Sequence, residues 1–354
     1  MFLSIDTVRT FAINRNSELT FAYLKENGEL LSIAASSNLL LEPAARELYR
    51  KFYDSAFQTC ELLPQYFRFI LAIVMDLEDL GYVGNVGKRI CEYVVKQDYL
   101  DYETSDTRRL EILTLLARRI PDGAIERNYR DQLEQSVDKF ISKPDHFVKF
   151  NKPLFYELTH FIFFLTNYGT NKIQLKNSPI ECLTNVGILA LLDNDVDLLA
   201  EICICFKFLG ETPPAFWEQY VESSLSEVTI TFDASIQSAI NGATDEYHAY
   251  FMMNWFLALR KQPTFTEKFN GRTPCFSLPQ KEPSVLSILS DSLYKTQVGR
   301  TMSTQECVGS LATLSQCNKA LLSNALGATP QTEKLLSKYS QGIFNNKTLT
   351  LFNC

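Results

Sequence analysis

The stretch from Pro179 to Gly210, PIECLTNVGILALLDNDVDLLAEICICFKFLG, decides the fold class. Pro179 stands where a first helical turn has no use for an N–H. The apolar run that follows to Leu192 is too long for a single strand. Asp193-Asn-Asp195 is turn and cap chemistry, and it reverses the chain into a second apolar run from Val196 to Leu209. Gly210 closes that run as a C′ residue. Two helices joined by so short a turn form an antiparallel hairpin.

The same punctuation recurs outward from this hairpin. Pro153 opens a very aromatic helix to Tyr168, closed by Gly169, and Pro213-Pro214 opens another through Trp217 to Leu225. Thr244-Asp245 caps a run from Glu246 to Lys261. Upstream, a 3.6-residue period begins at Pro43 and continues from Pro64 to Leu80 and Lys88 to Lys96. Thr104-Ser-Asp106 caps Thr107 to Ile120, the Pro121-Asp-Gly123 turn ends it, and Ala124 to Ile141 follows. The glycines of Gly81-Tyr-Val-Gly-Asn-Val-Gly87 have no strand before them, so they read as an interhelical loop and not as a phosphate cradle. At the N-terminus, Thr7 to Ile13 suits a short strand, and Ser17 to Lys25 a helix stopped at Asn27-Gly28. Val228 to Phe232 alternates as a short extended piece. Residues 262–283 hold four prolines without periodicity. Beyond them lie helices from Ser284 to Gln297, Ser303 to Leu326 and Thr332 to Phe344.

The expected fold is therefore all-α: an array of antiparallel helical hairpins, α/α toroid-like or a short α-solenoid, with a small helical C-terminal extension. No repeat of fixed period is present. The division expected is a 1–40 arm, a 41–262 main helical domain, a 263–283 linker, a 284–344 helical segment and a 345–354 tail.

Composition narrows the function classes. The 354 residues carry 34 basic and 41 acidic side chains, a net charge of −7, without a concentrated basic stripe. That argues against nucleic acid or an anionic membrane as partner. Three histidines are too few for a His-rich metal cluster. The start, Met1-Phe-Leu-Ser-Ile-Asp, lacks a basic region ahead of a long apolar run, and no apolar stretch is long enough to span a bilayer. Nine irregularly spaced cysteines, mostly inside apolar helical runs, read as reduced and buried, as in a cytoplasmic protein.

Chemistry-bearing residues are few. Glu157 and His160 are i and i+3 on the aromatic helix and share its face, the spacing of carboxylate–histidine sites. His248 falls in the first turn of another helix, where the dipole favours neutral imidazole, and shares a face with Phe251, Met252 and Trp255. His146 follows Pro144-Asp145 in a loop. These histidines equally suit core packing. A diiron bundle needs a second E-x-x-H, which is absent, so metal and cofactor stay open. Asp193-Asn-Asp195-Val-Asp197 fails as a calcium loop, since Leu198 and Ile204 stand where Gly and Glu are needed, and reads as a turn. Arg108-Arg109 and Arg118-Arg119 read as a solvated, salt-bridged face beside Asp101, Glu103, Asp106 and Glu111. Aromatics from Phe147 to Tyr168 can wall a pocket for an apolar or cationic ligand, or pack a core. No G-x-S-x-G, P-loop, H-E-x-x-H or C-x-x-C motif supports a nucleophile or a metal.

The segment Glu157-Leu-Thr-His160-Phe-Ile-Phe-Phe-Leu-Thr166-Asn-Tyr-Gly169 resembles a pattern in an uncharacterised family of bacterial all-helical proteins. These are often encoded near natural-product or modified-peptide biosynthesis genes. The pattern runs L-T-H-x-x-F-[YF]-x-T-[DN]-[FWY]-G and is followed by a Tyr-His pair opening another helix, here Tyr247-His248. Asn167 stands where Asp is usual, and Ala249-Tyr250 where small hydroxyl residues are usual. The resemblance spans residues 40–262 and implies a helical array in which His160 and His248 converge. It supplies no reaction. Two function classes follow. One is an enzyme-like protein of specialised metabolism holding a small apolar or peptide substrate in an aromatic-lined cavity, with His160, His248 and Glu157 as the working groups. The other is a non-catalytic helical scaffold for a peptide or protein partner.

Overall fold

Hydroxyl side chains set where many of the helices begin. Ser4, Thr20, Ser105, Ser284, Ser303 and Ser315 each accept the backbone N–H three residues on. Each such cap is worth about 1 kcal/mol. The computed structural model describes residues 1–16, 18–120, 127–173, 175–232, 245–279, 282–299 and 301–349. The Pro121-Asp-Gly123 turn, Thr244 and Cys354 lie outside them.

The described chain is all-helical with four very short strands. In order they are β1 (Phe2–Leu3), α1 (Ile5–Arg9), α2 (Phe21–Ser36), β2 (Leu40–Leu41), α3 (Pro43–Glu47), α4 (Arg50–Leu62), α5 (Phe67–Asp79) and α6 (Val86–Lys96). Next come α7 (Tyr99–Tyr102), α8 (Asp106–Ala117), α9 (Arg127–Ile141), α10 (Lys152–Leu165), α11 (Ile180–Leu192), α12 (Val196–Phe208) and α13 (Ala215–Ser226). β3 (Thr229–Thr231), α14 (Tyr247–Leu259), β4 (Cys275–Ser277), α15 (Val285–Gln297), α16 (Thr304–Ser310), α17 (Gln316–Ala328), α18 (Gln331–Tyr339) and α19 (Asn346–Leu349) complete the order. β1 pairs in parallel with β2, and β3 antiparallel with β4. No helix among the described residues is long and apolar enough to cross a membrane.

Three local expectations are corrected. Thr7 to Ile13 is not a strand: the Ser4 cap starts α1, which runs on into a π-helical turn at Thr10–Asn14. Asn27-Gly28 does not stop a helix, because α2 continues to Ser36. The Asn27 side chain is fully buried; its amide donates to the Phe11 and Tyr23 carbonyls, and its carbonyl oxygen accepts the Tyr49 hydroxyl at 2.7 Å. Satisfied in this way, it no longer competes for the helix backbone. The run from Ser303 to Leu326 is two helices, α16 and α17, since Ser315 caps a fresh start.

The chain divides into two compact units. Unit 1 is Met1–Val137, His160–Gln174 and Val228–Ser277; unit 2 is Asp138–Thr159, Leu175–Glu227 and Leu278–Cys354. Residues 1–40 thus belong to unit 1, residues 41–262 contribute to both, and residues 284–344 belong to unit 2.

In unit 1, α2 packs along α5, and buried Leu30, Leu31, Ile33, Ile70, Leu71, Ile73 and Val74 form the core between them. The proline-rich stretch after α14 is held by two charged residues near the N-terminus, Asp6 and the buried Arg15. Asp6 accepts the backbone N–H groups of Phe269 and Asn270 at 2.6 and 3.0 Å. Arg15, its side chain 6% exposed, pairs with Glu26 and Asp245 and donates to the Pro274 carbonyl. Rings of Phe11, Tyr247 and Phe276 surround its guanidinium.

In unit 2, α11 and α12 form the antiparallel hairpin, every residue of α11 from Cys182 to Leu192 being buried. Trp217 of α13 packs against Gly187, where an added Cβ would sit 2.3 Å from the indole. Only glycine admits that approach.

Candidate functional site

The C-terminal ends of α2 and α5 build a polar wall in unit 1. Ser32 donates to Asp76 Oδ2 at 2.6 Å, and Ser36 bonds the Ser32 carbonyl one turn back. Asp76, 3% exposed, receives Arg118 at 2.7 Å. Arg118 also reaches Asp79 at 2.6 Å, and Arg119 joins Asp79 and Glu78 at 2.6 and 3.0 Å. Burial raises the Asp79 carboxyl's pKa, but the two guanidiniums outweigh it and leave the group below the ordinary carboxylate value. Burial opposes the Arg118 charge, yet Asp76 and Asp79 hold its pKa above the ordinary guanidinium value. Arg118 and Arg119 therefore pair with α5 carboxylates, not with the Asp101 to Glu111 acids expected from the sequence. Arg118 is not on a solvated face, its side chain being 13% exposed.

A tight turn after α10 closes the opposite side. Thr166 Oγ1 accepts the Gly169 N–H, Tyr168 N–H bonds the Phe163 carbonyl at 2.7 Å, and Asn167 Nδ2 bonds Thr170 Oγ1. Asn167, Tyr168 and Gly169 take φ of 43°, 53° and 83° in succession. Left-handed backbone suits Gly and Asn, but a tyrosine there costs on the order of 1 kcal/mol. The Tyr168 ring stacks on Phe163 and sits tilted beside Trp255, and Trp255 Nε1 donates to Ser36 at 2.9 Å. Burial first, then the charges of Glu111, Asp76 and Glu29, raise the Tyr168 phenol well above its ordinary pKa, so it stays protonated.

Between these walls lies a cavity of about 530 Å³, finished by Phe2 and the Leu39–Leu41 segment. Arg46 of α3 lines it too, donating from Nη1 to the Leu80 carbonyl at 3.0 Å. Among the described residues Arg46 has no carboxylate partner, and Tyr168 Oη has no hydrogen-bond partner. The cavity matches the volume of small-ligand sites, which combine apolar walls with a few placed polar groups.

His160, His248 and Glu157 do not line this cavity. His160 is half-buried on α10, its ring 5.9 Å from those of Phe163 and Phe164. Its charge acts on Glu111, which is ion-paired to Arg68. Burial raises the Glu111 pKa further than Arg68 and His160 lower it. His248 stands in the first turn of α14 with Nε2 3.6 Å from Glu29 Oε1. Each of these two histidines thus has a carboxylate neighbour within unit 1. Glu157, half-buried, falls on the unit 2 side of α10, and His146 is exposed in a 3-10 turn of unit 2.

The Asp193–Asp195 turn links α11 to α12, and its acids accept hydrogen bonds. Asp195 caps α12 by accepting the Leu198 N–H, Asp193 accepts Ser284 Oγ at 2.9 Å, and Asp197 accepts the Tyr156 hydroxyl at 2.9 Å.

The residues the sequence did not single out are Arg46, Asp76 and the Leu39–Leu41 segment. Their signal was slight: a lone arginine after Pro43 and one acid inside the apolar Phe67–Leu77 run. By contrast, Asn167 and Tyr168 at the cavity wall belong to the segment that carries the family-like pattern.

Comparison with known proteins identifies a family. A family model described as Domain of unknown function (DUF6902) covers residues 4–342. No curated protein and no solved structure matches the chain.

Proposed function

We propose, for a chain that belongs to the DUF6902 family, that it binds a small apolar or peptide ligand in the interhelical cavity of unit 1. The observation that carries this reading is the cavity wall itself. A tyrosine is held in left-handed backbone beside about 530 Å³ of space lined by leucines and by a guanidinium that has no carboxylate partner among the described residues. Strained backbone of this kind concentrates at ligand-binding sites. The setting proposed with it is bacterial specialised-metabolite or modified-peptide biosynthesis in the cytoplasm, supported by the Leu158–Gly169 pattern alone. The hairpin array, toroid-like or a short solenoid, belongs to the same proposal as its scaffold. His160, His248 and Glu157, the acid–base candidates read from the sequence, lie outside the lining of this cavity, and the proposal gives them no role in it.

A neutral solvatochromic naphthalene dye (6-propionyl-2-dimethylaminonaphthalene) tests the cavity. Saturable, blue-shifted emission with the parent protein, reduced at least tenfold in affinity by Ala35→Trp on the cavity wall, supports the reading. Equal affinity in both proteins refutes it.

A second reading, a non-catalytic scaffold for a peptide or protein partner, is favoured by one specific observation. Both histidines of unit 1 neighbour carboxylates outside the cavity lining. His160→Gln and His248→Gln variants that bind the dye as the parent does, and turn over no more slowly on any substrate found, favour it.

A further inference from the structure

The cavity contains four charged residues, and their partners do not balance evenly. Asp76 and Asp79 are both engaged by Arg118, and Asp79 also by Arg119. These carboxylates are satisfied, and the Ser32 hydroxyl adds to Asp76. Arg46 is different. It spends one N–H on the Leu80 carbonyl, and no acid among the described residues answers its charge. Its guanidinium lies directly over Gly81, where an added Cβ would come within 2.2 Å of Nη1. Gly81 also holds φ at 93°, so the glycine both makes the turn and opens the space that the guanidinium occupies. A planar fork with uncommitted donors is the usual reader of a carboxylate. Tyr168 Oη, without a hydrogen-bond partner among the described residues, adds a second donor on the same cavity. Leu39, Leu40, Leu41 and Leu80 supply an apolar part of the same lining.

From this we infer that the ligand of the cavity carries a carboxylate on an apolar body, the carboxylate being read by Arg46 with the Tyr168 hydroxyl and the body lying against the leucines. The chemical class is thus an aliphatic or acyl carboxylic acid, including the C-terminal carboxylate of an apolar peptide. The inference rests on the cavity proposed above as a ligand site, and one titration set separates the two.

The probes are hexanoate, hexan-1-ol and acetate, titrated into the full chain at matched ionic strength and neutral pH and followed by ligand-observed NMR. The parent protein and the Arg46→Met and Arg46→Lys variants are compared, Met keeping the apolar stem of the side chain. Hexanoate binding at least tenfold tighter than hexanol to the parent, with the ratio falling to about one in Arg46→Met and partly restored in Arg46→Lys, is the expected result. Hexanol binding as tightly as hexanoate would leave the ligand site standing and overturn the carboxylate assignment. Acetate binding as tightly as hexanoate, and lost in Arg46→Met, would uphold the anion subsite while refuting the apolar cavity. Binding of none of the three overturns both.

Discussion

Arg46 Nη1 donates to the carbonyl of Leu80 at 3.0 Å by crossing over Gly81, a position where any side chain would collide with it. The two residues are coupled: one supplies the charge and the other the gap through which it reaches the cavity. Gly81→Ala therefore acts twice. It places an alanine at φ 93° and pushes the guanidinium aside. A loss of about 1–2 kcal/mol is expected from the backbone alone. Chemical denaturation measures that loss. The same variant is expected to weaken hexanoate severalfold while leaving hexanol unchanged.

The Asp79 carboxylate makes the acid stability of unit 1 predictable in sign. Its folded-state pKa lies below the ordinary value, since Arg118 and Arg119 outweigh the cost of burial. A depressed carboxylate pKa contributes stability above the unfolded value of about 3.9 and loses it as pH falls through the folded one. The parent is expected to lose stability progressively below about pH 4. Asp79→Asn should be less stable at neutral pH and show a flatter decline in that acid window. Urea midpoints measured from pH 7 to pH 2.5 decide it, and parallel curves for the two proteins would contradict the assignment.

The helices were legible where caps and breakers act locally. Pro179, Asp195 and Gly210 delimit α11 and α12 through contacts within a few residues, and so the hairpin could be read directly. Asn27-Gly28 misled because what quiets Asn27 is Tyr49, a residue 22 positions away. The site was partly legible for the same reason. Asn167 and Tyr168 stood out in a contiguous pattern, whereas Arg46, Asp76 and Arg118 come from α3, α5 and the end of α8, and no period links them. Arg118 looked solvated beside acids near in sequence, but its partners lie 42 and 39 positions away on α5.

Arg15 is expected to be among the most sensitive positions in unit 1. It is nearly buried, as is Glu26, and it ties α2 to Asp245 and to the Pro274 carbonyl. Arg15→Met keeps much of the contact with Phe11, Tyr247 and Phe276 but leaves Glu26 without its cation. Removing one partner of a buried pair costs about 3–5 kcal/mol. The companion variant Arg15→Met/Glu26→Gln should recover part of that loss, because the stranded charge is gone. Denaturation curves for the single and double variants measure the coupling.

The two tryptophans report on different units. Trp217 is buried in unit 2 against Gly187, and Trp255 in unit 1 donates to Ser36, a cavity residue, while its ring lies 6.1 Å from that of Tyr168. In a Trp217→Phe background, saturating hexanoate is expected to shift Trp255 emission, since a ligand against Tyr168 changes the polarity beside the indole. In a Trp255→Phe background the Trp217 emission should not move. Ser36→Ala removes one hydrogen bond of the indole and is expected to cost about 1 kcal/mol. A ligand-induced shift confined to Trp217 would put the binding event in unit 2 and rule out the cavity beside Tyr168 as its site.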